Sequence, residues 1–345
     1  MPWKISLLQQ LFDIPKVKNQ VEPLFIIAAP RSGTTWISKM LNAHPSIYCT
    51  ENRLFGNYAD FVQDDGATEP RLRVTLDKYV NSITLHTNHE DLGLSRDHLR
   101  VELTSAFIDS LWKVYRSRAK GRQIIDKITP YINTADQVKS QIKRYFPKAK
   151  IVYLVRDGRD VCTSGVFHWL KKRPANQKYS DFENQRRQYF LEHSKSTQPL
   201  SRFFTDSEIE EWAKTWAQPL EEFYINHDHN VHLIRFEQML LNTESVLENV
   251  LKFMKLKHNS QTIEKCVKAG NFKEMSGGRQ LGESKPGDHV RKGTSGDWKN
   301  YFTKQDGQLF NEIAGKYLLE LGYEEDKNWF DTLPENLNSR QTILP

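Results

Sequence analysis

The 345-residue sequence carries 49 Lys and Arg against 43 Asp and Glu, a formal net charge of +6 that suits an anionic small ligand as well as nucleic acid. Hydrophobic residues make up 38%, with eight Trp, thirteen Tyr and eighteen Phe, which supports a sizeable core. No run of about 18 apolar residues occurs, and Cys49, Cys162 and Cys266 lie too far apart for metal-ligand spacing or a disulfide framework. No membrane span is expected, and the cysteines fit a reducing compartment.

Residues 1–22 read as an amphipathic packing arm, with Ile5, Leu8, Leu11 and Phe12 at near-helical spacing. Lys4, Gln9, Gln10 and Asp13 interrupt it, so no signal peptide is expected. Leu24 to Ala29 is a short apolar run, long enough for one buried strand, and Pro30 stops it. Arg31, Ser32, Gly33, Thr34 and Thr35 follow, and Trp36 to Leu41 opens a helix. Strand, tight loop and helix aim several backbone N–H groups and a helix N-terminus at one spot, which binds phosphate or sulfate. Arg31 adds a fixed charge and a planar donor fork, and three hydroxyls add donors. It is not an ATP-type loop. That pattern needs Gly where Ala28 stands and Lys where Thr34 stands.

A second short strand is expected at Ile47-Tyr48-Cys49, followed directly by Glu51 and Arg53. The region 54–121 is helical by period, with stripes Leu72, Leu76, Tyr79, Val80, Ile83 and Leu99, Leu103, Phe107, Leu111, Trp112 read as core. Gln123 to Asp126 is a third strand, with Lys127 and Pro130 after it, and Ala135 to Phe146 a helix. Lys150 to Val155 is the strongest strand, ended by Arg156-Asp-Gly-Arg-Asp160, and Val161 to Leu170 returns as a helix. The basic segment 171–204, with Lys171, Lys172, Arg173, Arg186 and Arg187, reads either as a solvated loop or as a lid over substrate. Asp206 is expected to cap a helix reaching about 227. Val231 to Ile234 is a strand, 243–254 a helix, and Ser260 the cap of a short helix to Ala269. A helix over 304–321 is expected, with a polar tail from 323 to 345 lying loosely on the surface of a single domain. Strands alternating with helices argue for a parallel sheet with helices on both faces, whose ligand loops lie at the strands' C-terminal ends. The loop at 30–35, Lys127 and Arg156 all fall there, which suits a ligand with several anionic groups.

Three ordered motifs resemble those of sulfotransferases that use 3′-phosphoadenosine 5′-phosphosulfate (PAPS). Pro30-Arg-Ser-Gly-Thr-Thr-Trp36 is similar to the family's 5′-phosphosulfate loop. Tyr153 to Ser164 is similar to its 3′-phosphate motif, with Arg156 and Ser164 eight residues apart. Arg291-Lys-Gly-Thr-Ser-Gly-Asp-Trp298 is similar to the C-terminal phosphate loop of the cytosolic branch, and Asn271 to Met275 to a segment that packs on adenine. The resemblance runs from 24 to 303. It implies a P-loop NTPase-like sulfotransferase fold, with PAPS as co-substrate, PAP as product and no metal. It assigns Arg31, Ser32, Gly33, Thr34 and Thr35 to the 5′-phosphosulfate, and Trp36, Phe272 and Met275 to the adenine. Arg156, Ser164, Arg291, Lys292 and Gly293 take the 3′-phosphate.

Two departures matter. Arg31 stands where cytosolic members usually have Lys, as in membrane-type and many bacterial relatives. Thr129 stands at the position of the cytosolic catalytic His, two residues after Lys127. Sulfuryl transfer resembles phosphoryl transfer, an in-line displacement that needs cationic stabilisation and a base. Arg31 and Lys127 are the expected charges, worth about 2–4 kcal/mol apiece. Glu51 is the expected base, because other branches place a catalytic Glu shortly after a His-Pro pair like His44-Pro45. Burial is expected to tune its carboxyl. His168 is the second candidate. The expected acceptor is a small molecule with a hydroxyl or amine, walled by 52–121, 166–204 and 276–290. Nucleic acid and membrane partners are not expected, and the setting is cytoplasmic. An ATP-dependent kinase and an inactive PAP(S)-binding protein are the alternatives, and the oligomeric state is not legible.

Overall fold

Leu24-Phe-Ile-Ile27 is apolar at every position, the pattern of a strand covered on both faces, and it forms the central strand β1. The computed structural model describes residues 22–51, 96–130, 135–172, 179–191, 200–225, 230–283, 285 and 291–340. β2 (Ile47–Glu51), β3 (Gln123–Ile128), β4 (Ile151–Val155) and β5 (Val231–Arg235) complete a five-stranded sheet in the order β2-β3-β1-β4-β5, with every pairing parallel.

Side chains alternate across the sheet with period two. Phe25, Ile27, Ile124, Ile128, Tyr153 and Val155 enter one core, and Leu24, Ile26, Ile125, Val152 and Leu154 the other. The second core is roofed by α1 (Thr34–Asn42) through Ile37, Met40 and Leu41. The first is roofed by α3 (Ala135–Tyr145) and α4 (Gly158–Lys172). α2 (Arg96–Ala119) runs into β3 and contributes Trp112 and Ala119 to that same core. After α4 come a short α5 (Asp181–Arg186) and α6 (Asp206–Leu220), then β5. Beyond β5 the chain forms α7 (Phe236–Leu241), α8 (Thr243–Phe253), α9 (Ser260–Ala269), the single turn α10 (Phe272–Met275) and α11 (Lys304–Glu320). α8 and α9 join the second core through Leu247, Val250, Leu251, Ile263 and Cys266, and α11 joins the first through Phe310, Ala314 and Leu318. Neighbouring β1, β3 lies on one side and β4 on the other, so the chain reverses direction across the sheet there. A crevice opens at the C-terminal edge of such a switch.

The structure departs from the sequence reading in several places. Thr205, not Asp206, caps α6. Its hydroxyl accepts from Glu208 N at 3.2 Å while Glu208 accepts from Thr205 N at 3.0 Å, a reciprocal pair that outcompetes a lone carboxylate. Asn259, not Ser260, caps α9 by accepting from Thr262 N at 2.8 Å. The helix expected to reach 227 ends at Leu220 and relaxes into a wider turn over Glu221–Ile225. The tail after Tyr323 is anchored at Glu324 and Trp329, and its residues 341–345 lie outside the described residues. Trp329 is 6% exposed, and the guanidinium of Arg159 is held between the Trp298 ring (3.8 Å) and the Trp329 ring (4.6 Å) while pairing with Asp157 at 2.8 Å and with Glu324. Within 171–204, Arg186 is 1% exposed and pairs with Glu208 at 3.0 Å, and Arg187 donates to Leu170 O. Both charges are committed to the fold rather than solvated or offered to a ligand. The arm at 1–21, Arg53 and the stripe at 72–83 lie outside the described residues, as do the side chains of Leu99, Leu103 and Phe107. No helix among the described residues is long and apolar enough to cross a membrane.

Candidate active site

The loop after β1 turns on two left-handed residues, Arg31 (φ 70°) and Gly33 (φ 97°). Gly33 is the N-cap of α1 and carries no side chain, so no capping side chain competes with an anion at this helix start. A Cβ on Gly33 would come within 2.7 Å of the Phe236 ring. Gly33→Ala is therefore expected to destabilise the fold by about 1–3 kcal/mol, read by urea unfolding, since it forces both a strained φ and a shift of Phe236.

The β1 to β4 register pairs Ile27 with Tyr153, so Arg156, three residues on, stands level with Pro30. Arg156 is buried. Its Nη1 donates to Arg31 O at 3.2 Å, its Nη2 to Thr294 O at 3.0 Å, and its guanidinium lies 4.5 Å over the Phe236 ring. Ser164, two turns into α4, accepts from Arg31 Nε at 3.2 Å. The third segment brings Arg291, Lys292 and Gly293. Arg291 is buried and pairs with Asp297 at 2.5 Å, and Lys292 pairs with the same carboxylate at 2.9 Å. Burial alone would raise the Asp297 carboxyl, but these two cations hold it below the usual carboxylate range. Gly293 (φ 73°) passes so close to Phe272 that a Cβ would come within 2.4 Å of that ring.

These pieces line one cavity of about 330 Å³. Its wall includes the predicted Arg31, Gly33, Thr34, Thr35, Trp36, Arg156, Ser164, Phe272, Met275, Arg291, Lys292 and Gly293. Trp36 donates from Nε1 to Gly270 O at 2.9 Å and meets Phe236 edge-on at 5.6 Å, which fixes its ring as an apolar wall. Charged groups and aromatic rings thus share the cavity wall. Ser32 is buried behind the loop, outside the cavity wall.

Glu51, Lys127 and His168 do not line that cavity. Glu51 ends β2 in register with Lys127 of β3, and Lys127 Nζ, almost fully buried, donates to Glu51 Oε1. The Glu51 side chain is 61% exposed. The burial expected of it is absent, because Glu51 is the last residue of the edge strand β2. His168 lies one turn beyond Ser164 on α4, half-buried, with its ring 6.1 Å from that of Trp169. His44 is structural: Ser46 N donates to its Nδ1 at 3.1 Å, so its Nε2 donates to Lys257 O at 2.9 Å.

The sequence reading missed Phe236, Gly270 and Thr294 in the cavity wall. Phe236 follows the last residue of β5, a strand end where ligand residues gather, and that position was the available signal. It also left Asp160 and Asp297 without roles, although both stand inside motifs quoted above. Among the described residues no group of His, Cys, Asp or Glu is arranged to hold a metal.

A family model described as "Sulfotransferase domain" matches residues 22–322. Human Sulfotransferase 2A1 is 26% identical over 185 residues, 51% of this chain and 59% of the relative, so the chain spans under two thirds of that protein's length. Rat Sulfotransferase 1 family member D1 is 21% identical over 335 residues, 92% of this chain and 90% of the relative. Among solved structures, a mouse sulfotransferase, SULT7A1, complexed with PAP, matches at TM-score 0.46 and 17% identity over 88% of each chain. A sulfotransferase from Alicyclobacillus acidocaldarius matches at TM-score 0.43 and 15% identity, covering 90% of this chain and 99% of that one. At such scores these are loose likenesses.

Proposed function

The chain belongs to the sulfotransferase domain family, and on that premise we propose that it transfers the sulfuryl group of PAPS to a hydroxyl or amine of a small-molecule acceptor in a soluble, cytoplasmic setting. The observation that supports this most is the convergence of Arg31, Arg156 and Arg291, from three distant segments, on one cavity that Trp36, Phe236 and Phe272 also line. Arg156 and Arg291 are buried as well as set in that wall, so an anion bound there meets guanidinium charge shielded from water. A nucleotide phosphorylated at both its 5′ and 3′ positions supplies acceptors at both ends, and a cavity of this size suits it.

On this reading Arg31 and the amides opening α1 hold the 5′-phosphosulfate. Arg156, Ser164, Arg291, Lys292 and Gly293 hold the 3′-phosphate, and Trp36, Phe272 and Met275 pack on the adenine. Bound PAPS supplies the sulfuryl group. Charge builds on its peripheral oxygens and on the leaving oxygen, and the fixed charge of Arg31 stabilises both. Lys127 holds the Glu51 carboxylate at the same sheet edge, and Glu51 takes the acceptor's proton.

Calorimetry is expected to find PAP binding with a Kd of about 1–10 μM and ATP at least about 100-fold weaker. Label from PAPS should move to at least one member of a panel of phenols, alcohols and amines. Absence of PAP binding would overturn the reading. Binding without transfer to any acceptor would leave an inactive PAP-binding protein, and transfer of the ATP γ-phosphate would revive the kinase alternative.

A further inference from the structure

Arg156 and Arg291 lie 135 residues apart, yet a single 3′-phosphate site needs them side by side. Between the segments that carry them sits Asp160, fully buried and outside the cavity wall. It belongs to the first turn of α4, where a carboxylate would ordinarily cap its own helix or face its dipole. Its two oxygens instead cross to the other segment. Oδ2 accepts from Gly296 N at 2.7 Å and Oδ1 from Trp298 N at 3.0 Å, and Arg156 Nη2 stands 3.7 Å from Oδ2. Arg156 reaches the same segment through Thr294 O. Gly296, at φ 82°, is the bend that presents its amide to the carboxylate. Asp297, between the two anchored amides, takes the charges of Arg291 and Lys292.

We propose that Asp160 is a positioning residue for the 3′-phosphate: it staples the segment 291–298 to the start of α4 and so sets Arg291 and Lys292 beside Arg156. This rests on the PAPS reading and adds to it a cause for the site's preference between nucleotides. The loop at 30–35 hangs from β1 and meets the staple through Arg156 Nη1, which donates to Arg31 O, so the 5′ end depends on it only in part. The contribution of the 3′-phosphate depends on it directly, because without the two amide bonds the cations lose their common frame.

Asp160→Asn is nearly isosteric but keeps one acceptor oxygen, opposes an NH2 to the second amide, and drops the charge facing Arg156. Kd values for PAP and for AMP, which lacks the 3′-phosphate, are measured by calorimetry on the wild type and the variant. The variant is expected to weaken PAP about 30-fold while AMP stays within about 3-fold. The KM for PAPS should rise in step with the PAP loss, with kcat at saturation within about 3-fold. Equal loss of both nucleotides, or loss of neither, would overturn the staple while leaving the PAPS reading intact. A wild type that binds PAP no better than AMP would instead sink the PAPS reading itself. Should the variant lack a cooperative melt, hydrogen exchange on the wild type decides. PAP, but not AMP, is expected to slow exchange of the Gly296 and Trp298 amides about 10-fold or more, and equal slowing by both would overturn the proposal.

Discussion

Glu51→Gln is expected to cut turnover about 1,000-fold, within the span of a lost general base, while PAP affinity changes by less than about 3-fold. The substitution is nearly isosteric. A Gln oxygen can still accept from Lys127 Nζ, so the buried ammonium keeps its partner and the edge of β2 and β3 keeps its shape. What disappears is the capacity to take up a proton. Glu51 lies outside the cavity that gathers the arginines, which is why nucleotide binding should survive. Its exposure bears on the mechanism as well. With 61% of the side chain open, position rather than desolvation must supply its effectiveness, through reach to an acceptor lying across the sheet edge from Arg31. Turnover within a few-fold of wild type would remove Glu51 as the base. His168→Asn would then be the next measurement, since His168 lies one turn past Ser164 on α4.

Much of this was legible because doubly covered parallel strands must be apolar throughout. β1 and β4 advertise themselves in that way, and the residues that follow them fall at the ligand-binding edge. β3 was harder to bound. The sequence ends it at Asp126, with Lys127 after it, whereas it runs on to Ile128. Asp126 and Lys127 are extended and buried because Thr50 donates to Asp126 at 2.5 Å and Lys127 pairs with Glu51. Charge was a poor guide to exposure elsewhere too. Arg186 reads as part of a solvated loop or lid until its partner Glu208 is known, and nothing near Arg159 and Asp160 in the sequence announces the distant residues that bury them. Trp329 shows the same in reverse, hidden in a polar tail and buried because Arg159 needs a second ring. The caps were decided by competition between adjacent good candidates. Glu208, three residues after Thr205, was the signal that chose between Thr205 and Asp206.

Arg156→Met is expected to weaken PAP about 100- to 1,000-fold and, separately, to lower stability by about 3 kcal/mol. The two losses have different origins. Affinity falls because the buried guanidinium in the cavity wall, held in place by Arg31 O and Thr294 O, can no longer meet a phosphate. Stability falls because Asp160, fully buried, loses the guanidinium beside it. Arg156→Lys should recover only a small part of the affinity, since a point charge cannot span both carbonyls and the ligand. Pairing Arg156→Met with Asp160→Asn removes the stranded charge and separates the two effects, as a double-mutant cycle does for groups in contact. Urea unfolding of that double variant is expected to return most of the lost stability, while calorimetry with PAP returns none of the lost affinity. Recovery of both together would mean that Arg156 serves only as a counter-ion for Asp160, and that the 3′-phosphate is held elsewhere.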